Sequence, residues 1–252
     1  KGYEPAEKNP SKFHGIGPYD IATGEVKKGS SSAPKYTSVF SKAIVAEAER
    51  DHDIVAITAA MKDGTGLAAF SEKYSTFMQR AFDQLVINNA LANTNVVFCL
   101  DRAGLVGDDG PTHHGVFDIA YGRMVPGVRM MAPSDEAELV HMLHTALALE
   151  GPVVLRWPRG EARGVELPAV PQVLEEGKSR TTREGSDVAI LAFGRMVQEA
   201  EGAADILAKE GVSVRVVDMR WIKPFDEEAV RKATLECKLV CTAEEGAIEG
   251  GI

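Results

Sequence analysis

Cysteine is scarce in this chain: Cys99, Cys237 and Cys241 are the only three in 252 residues, and no CxxC pair occurs. Three thiols cannot all pair, so a disulfide scaffold is excluded and a reducing compartment is the natural reading. Positive charge is also in deficit. Lys and Arg number 28 against 37 Asp and Glu, giving a net charge of −9 and a pI near 5.3. That balance argues against nonspecific binding to nucleic acid or anionic lipid. No apolar run approaches the roughly 18–20 residues of a membrane span, and no charged-then-apolar leader stands at the front. The expected partners therefore include no nucleic acid and no membrane. No Walker motif, GxSxG elbow or HExxH is present, and Gly64-Thr-Gly66 lacks the third glycine of a dinucleotide fingerprint. The chain opens at Lys1 and stops at Gly250-Gly251-Ile252, so a piece of a longer protein is expected.

What is present is a repeated alternation of apolar runs and helical stripes. Residues 1–34 are polar and broken by Pro5, Pro10, Pro18 and Pro34, which reads as a connector. A helix capped by Thr37 or Ser38 follows, carrying Phe40, Ile44, Val45 and Ala48. Short runs at 53–58, 96–100, 128–131 and 153–157 read as buried strands. A helical stripe starts at Phe77, and a helix capped at Ser134-Asp135 reaches about Leu149. Continuous rather than alternating strands imply a parallel sheet covered on both faces. After a polar linker at 165–186 the pattern restarts with strands at 188–192, 212–218 and 239–242, and helices at 197–209 and 226–233. The expected fold class is α/β: two parallel-sheet domains, at 35–164 and 187–252.

One loop concentrates chemistry. Beyond the strand ending at Leu100 stands Asp101-Arg-Ala-Gly-Leu-Val-Gly-Asp-Asp-Gly-Pro-Thr-His-His-Gly115, with four glycines, three aspartates, one arginine and two histidines in fifteen positions. Ligands of open α/β sheets sit beyond the carboxyl ends of strands, and loops this long are usually functional or disordered. The bland alternative is a solvated loop. A metal site at Asp108, Asp109, His113 and His114 is disfavoured, because neighbouring side chains point apart and no zinc spacing recurs. A histidine that shuttles a proton beside an anion-holding arginine fits better. Arg156 and Arg159 at the end of the fourth strand, with Arg80 on a helix, extend that reading to an anion clamp. For any single arginine, ordinary surface ion pairing is the competing explanation.

Three segments are more specific still: Tyr74-Ser-Thr-Phe-Met-Gln-Arg-Ala-Phe-Asp-Gln84, Asp101 through His113, and Arg156-Trp-Pro-Arg-Gly160. They resemble the 1-deoxy-D-xylulose-5-phosphate synthase family of the thiamine-diphosphate-dependent transketolase superfamily. Lys1 to Glu7 with Phe13-His14, Met61 to Leu67, and Arg220-Trp-Ile-Lys-Pro224 extend the resemblance over nearly the whole chain. It implies decarboxylation of pyruvate and its joining to D-glyceraldehyde 3-phosphate, with thiamine diphosphate as the electron sink. By the same resemblance Phe77 stacks on the aminopyrimidine and Tyr3 contacts the cofactor. Tyr74, Arg102 and Arg159 hold the acceptor phosphate, Arg80, Asp109 and His113 line the pocket, and His113 and His14 assist proton transfer. A cytoplasmic homodimer is implied, with a plastid enzyme stripped of its transit peptide as the alternative location.

Two departures qualify that picture. The family's diphosphate- and Mg2+-binding Gly-Asp-Gly segment belongs to a first domain that nothing here matches, which makes residues 1–34 a connector from it. Between Lys73 and Tyr74 the family carries a few dozen further residues, including the glutamate that bonds the aminopyrimidine nitrogen. Glu72 does not match that motif. The competing functions are a transketolase, a 2-oxo-acid dehydrogenase β subunit, and a non-catalytic module that keeps the fold.

Overall fold

The computed structural model describes residues 2–8, 13, 19–26, 33–54, 56, 82–107 and 113–252. The chain divides into two compact units, 1–32 and 33–252. In the first, α1 (Glu4–Lys8) is a short helix. Tyr3 packs edge-on against Phe13 with ring centroids 5.5 Å apart, and against Tyr19 at 6.0 Å. The Asp20 carboxylate accepts the N–H groups of Ala22 and Thr23 at 2.9 and 3.0 Å, an Asx turn that draws its pKa down.

The second unit holds two four-stranded sheets. The first is built from β1 (Val97–Leu100), β2 (Arg129–Met131) and β3 (Val153–Arg156), in spatial order β1-β3-β2 and all parallel. The second comprises β4 (Arg180–Arg183), β5 (Val188–Ala192), β6 (Val214–Asp218) and β8 (Leu239–Ala243), ordered β4-β6-β5-β8. Its three long strands are parallel, while β4 runs antiparallel along the edge. The strand that follows β6, β7 (Trp221–Lys223), leaves that sheet and pairs antiparallel with β2. Chain from the second half thereby completes the first sheet.

The helices follow from their apolar spacing. α2 spans Tyr36–Arg50, and α3 (Phe82–Gln84) widens into a π-helical turn over Leu85–Ala90. α4 (Asp118–Met124) precedes β2. α5 (Glu136–Ala148) begins where the Asp135 carboxylate accepts the Glu138 N–H at 2.8 Å. It buries Leu139, Met142, Leu143 and Ala146, spaced i, i+3, i+4 and i+7 on one face. These join Phe40, Ile44 and Trp157 in a core between α2, α5 and the first sheet, where the Phe40 and Trp157 rings lie 4.7 Å apart. α6 (Met196–Ala208) buries Val197, Ala200 and Ala204 against the second sheet, and α7 (Glu227–Glu236) starts at an Asp226 cap.

Four expectations need amendment. α2 starts at Tyr36 with Lys35 as its N-cap and no side-chain cap, so Thr37 and Ser38 lie inside the helix. The stretch read as a linker contains β4, whose alternating Arg-Thr-Thr-Arg pattern suits a half-exposed edge. The brief apolar Trp221-Ile-Lys segment is a strand, a pairing no local period announces. Each sheet also carries one antiparallel edge strand rather than being wholly parallel. Most of the strand expected at 53–58 and the start of the stripe at Phe77 fall outside the described residues.

Candidate functional site

The glycine-rich loop leaves β1 through a neck held by main-chain bonds. Ala103 N–H donates to Trp157 O at 3.0 Å, Gly115 N–H donates to Arg102 O at 3.0 Å, and Gly104 N–H donates to Gly115 O at 3.3 Å. Arg102 sits at φ +69°, a left-handed conformation that is uncommon for a residue with a Cβ and is concentrated at functional positions. Its guanidinium pairs with the neighbouring Asp101 carboxylate. His113 lies exposed at the returning end. Beside it, His114 Nδ1 accepts the Val106 N–H at 2.9 Å, which leaves the proton of the neutral ring on Nε2. His114 is thus a structural tie within the loop.

Arg156 departs from the clamp reading. Although it stands at the carboxyl end of β3, it is 3% exposed and turned inward. Its Nη2 donates to Gly115 O at 3.2 Å and Glu245 O at 3.0 Å, and its Nε lies 3.7 Å from Asp118 Oδ2. Buried arginine needs acceptors, and these two carbonyls occupy the Nη2 that a ligand would otherwise meet. Burial pushes the Asp118 carboxyl up to about 6 despite that cation. Burial likewise raises Glu244 and Glu245, which follow β8. Nothing in the sequence pattern singles these glutamates out, because their contact with the loop joins positions about 140 apart in the chain.

Arg159 is exposed, and it lines a cavity of about 290 Å³ with Tyr36, Gly160, Glu161, Arg195 and Gln198. The cavity draws on both sheets' loops. Arg195 precedes α6 and escapes sequence reasoning, since it belongs to the second pattern of strands and helices. Tyr3, in the first unit, donates its hydroxyl to Ile21 O at 2.9 Å, and partial burial raises its pKa. His14, Tyr74, Phe77, Arg80 and Asp109 lie outside the described residues. Among the described residues no three His, Cys, Asp or Glu side chains gather as a metal site. Arg102 and His113 therefore flank one neck, while Arg159 stands three residues past β3 and lines the cavity.

Residues 66–165 match the transketolase pyrimidine-binding domain, and residues 177–252 match the transketolase C-terminal domain. The chain is similar along its whole length to proteins named 1-deoxy-D-xylulose-5-phosphate synthase. It is 44% identical to that of Syntrophomonas wolfei and 45% identical to that of Heliobacterium modesticaldum, and it covers 44% of each. It thus spans less than half the length of these relatives. The first alignment runs over 285 positions against 252 residues here, so the relative carries at least 33 residues with no counterpart in this chain. Among solved structures, a split-gene transketolase described as an inactive β4 tetramer superposes with a TM-score of 0.76 at 27% identity. That match covers 87% of this chain and 83% of the other. A transketolase from Campylobacter jejuni gives 0.70 at 16% identity over 86% and 40% of the two chains, which speaks for the fold alone. The chain belongs to the transketolase family, carrying its pyrimidine-binding and C-terminal domains.

Proposed function

We propose that the full-length protein converts pyruvate and D-glyceraldehyde 3-phosphate into 1-deoxy-D-xylulose 5-phosphate and CO2. The observation carrying this reading is identity of 43–45% over the entire chain to relatives of that name. Thiamine diphosphate supplies the electron sink for decarboxylation when bound, with Phe77 and Tyr3 against it. Its Mg2+ ligands belong to a first domain that residues 1–34 connect to a pyrimidine-binding domain at 35–164. A linker at 165–186 leads to the C-terminal domain at 187–252. The additional residues of the relatives are assigned to the Lys73–Tyr74 junction.

The loop residues take defined roles in this reading. Arg102, Arg159 and Tyr74 hold the acceptor phosphate, for which a guanidinium fork is matched in shape and charge. Arg80 and Asp109 line the pocket, and His113 and His14 move protons at the acceptor carbonyl. The protein acts as a cytoplasmic homodimer.

The deciding experiment incubates full-length protein with thiamine diphosphate, Mg2+ and pyruvate, with and without glyceraldehyde 3-phosphate. Faster CO2 release with the acceptor, and a five-carbon product, are expected. Absence of carboligation would instead favour a non-catalytic module of the same fold. The 83% coverage of a split-gene transketolase chain favours one second reading, in which a separate diphosphate-binding chain completes the site. Activity that appears only on adding such a chain would select it.

A further inference from the structure

The second sheet has a topological switch point between β5 and β8. From β5 the connection to β6 leaves on one side, and β8 lies on the other. The crevice beyond the carboxyl ends at such a point is where α/β sheets ordinarily take ligands. Here residues that follow β1 and β2 crowd it. Gly194, which follows β5 at φ +58°, lies so close that a Cβ there would stand 3.2 Å from Ala132 Cβ. Gly104 in the loop neck, at φ +72°, approaches Glu245 so closely that an added Cβ would meet Glu245 Cβ at 2.7 Å and Oε1 at 2.9 Å. Arg156 Nη2 donates to both Gly115 O and Glu245 O. Ala247 N–H donates to Val116 O at 2.9 Å, just past the loop's return.

We infer that the turn Glu244–Ala247 is a positioning element for the substrate loop, with Arg156 as the tie that sets Arg102 and His113 at fixed separation. This rests on the reading of that loop as part of the acceptor site. The loop base is held from three sides: by β3 through Trp157 O, by its own crossed strands, and by the second sheet through Glu245 and Ala247. Without the last of these, the Gly115 carbonyl loses the strut that connects it to the second sheet. A phosphate held by Arg102 is then misplaced, and a displacement near 1 Å is enough to slow a reaction on the order of a hundredfold. The residues of the turn touch no reacting atom.

The test uses full-length protein carrying Gly104→Ala, Glu245→Gly, both together, or Arg156→Lys. Gly104→Ala drives its new Cβ into Glu245 and loosens the neck. Glu245→Gly removes the obstacle while keeping the carbonyl that Arg156 binds. Amide hydrogen exchange over residues 102–107 and 113–116 should quicken by about tenfold in Gly104→Ala and fall back part of the way in the double variant. The left-handed backbone at this position strains an alanine in both variants, so recovery is partial. In turnover, KM for glyceraldehyde 3-phosphate should rise roughly tenfold while KM for pyruvate stays within about twofold. Arg156→Lys, whose ammonium ends one bond short of where Nη2 meets the two carbonyls, should show the same split without a new Cβ. Exchange in the double variant no slower than in Gly104→Ala would overturn the inference, as would equal KM changes for both substrates. If the unaltered protein shows no carboligation, the proposed function fails, yet the exchange comparison still decides the positioning role.

Discussion

Arg220 and Glu138 meet at two points, Nε donating to Oε2 at 2.9 Å and Nη2 to Oε1 at 2.8 Å. Arg220 lies between β6 and β7, and Glu138 lies in the first turns of α5. Their pair therefore ties the second sheet to the helix that covers the first. Arg180 reaches the same carboxylate at 3.1 Å and Asp218 at 3.0 Å, and Ser134 Oγ donates to Asp218 at 2.7 Å. Arg220 adopts φ +57° to do this, an arrangement that only surrounding contacts sustain.

Arg220→Ala should therefore destabilise the protein by about 3 kcal/mol, because it strips one of two cations from a nearly buried carboxylate. Arg220→Lys keeps the charge but not the fork, and should lose roughly half as much. Urea unfolding midpoints at pH 7 measure both. A change below about 0.5 kcal/mol for the alanine variant would place the domain tie elsewhere.

The alternation of strand and helix was legible because buried parallel strands announce themselves as unbroken apolar runs. Val153-Val-Leu, all buried, and Val188 to Ala192 are such runs. The cap at Asp135 was equally legible, since the carboxylate acts three residues away. β7 was not, because its stability comes from pairing with β2, some 90 positions earlier in the sequence. The fate of Arg156 was hidden for the same reason. Sequence placed it at a ligand edge, and only the approach of Glu245 and Gly115 turned it inward. Residue type identifies a cation, while long-range packing decides whether a ligand or a carbonyl receives it.

Glu136 offers a second stability test. Fully buried, it accepts the N–H groups of Gly164 and Val165 on Oε1 at 2.6 and 2.8 Å, and of Arg163 on Oε2 at 3.1 Å. It pins the segment leaving the first sheet, where Gly164 takes φ +80°. Glu136→Ala should cost roughly 2–4 kcal/mol, since charge-assisted bonds contribute about 1.5–3 kcal/mol. Glu136→Gln retains one carbonyl oxygen and with it the Gly164 and Val165 bonds, so its loss should be smaller. Thermal or urea unfolding that ranks glutamine below alanine would refute this account.

Asp118 gives a pH signature. Burial lifts its carboxyl from an ordinary 3.8 to about 6 in the folded protein, with Arg156 opposing and Asp101 reinforcing that rise. The folded state thus holds more protons than the unfolded chain between about pH 4 and pH 6. Its stability contribution falls as pH rises through that window, and the penalty is complete above it. Asp118→Asn carries no such charge. Relative to the unaltered protein it should gain roughly 2–3 kcal/mol between pH 4 and pH 7, since a tenfold change in proton affinity is worth about 1.4 kcal/mol. Unfolding curves of the two proteins at pH 4, 5, 6 and 7 report this difference, and parallel stability profiles would contradict it.

The acceptor clamp predicts a substrate-dependent loss. Arg102 stands in a strained backbone at the loop neck, and Arg159 borders the 290 Å³ cavity. Both would face the same dianionic group. Arg102→Ala or Arg159→Ala should lower kcat/KM for glyceraldehyde 3-phosphate by about 1.5–3 kcal/mol, the worth of a charged hydrogen bond. The same variants should alter kcat/KM for unphosphorylated glyceraldehyde by less than about 0.5 kcal/mol. The comparison isolates the phosphate, because both acceptors carry the same aldehyde carbonyl. Equal losses for the two aldehydes would mean that the guanidinium groups act through the fold or the carbonyl, and the clamp would have to be abandoned.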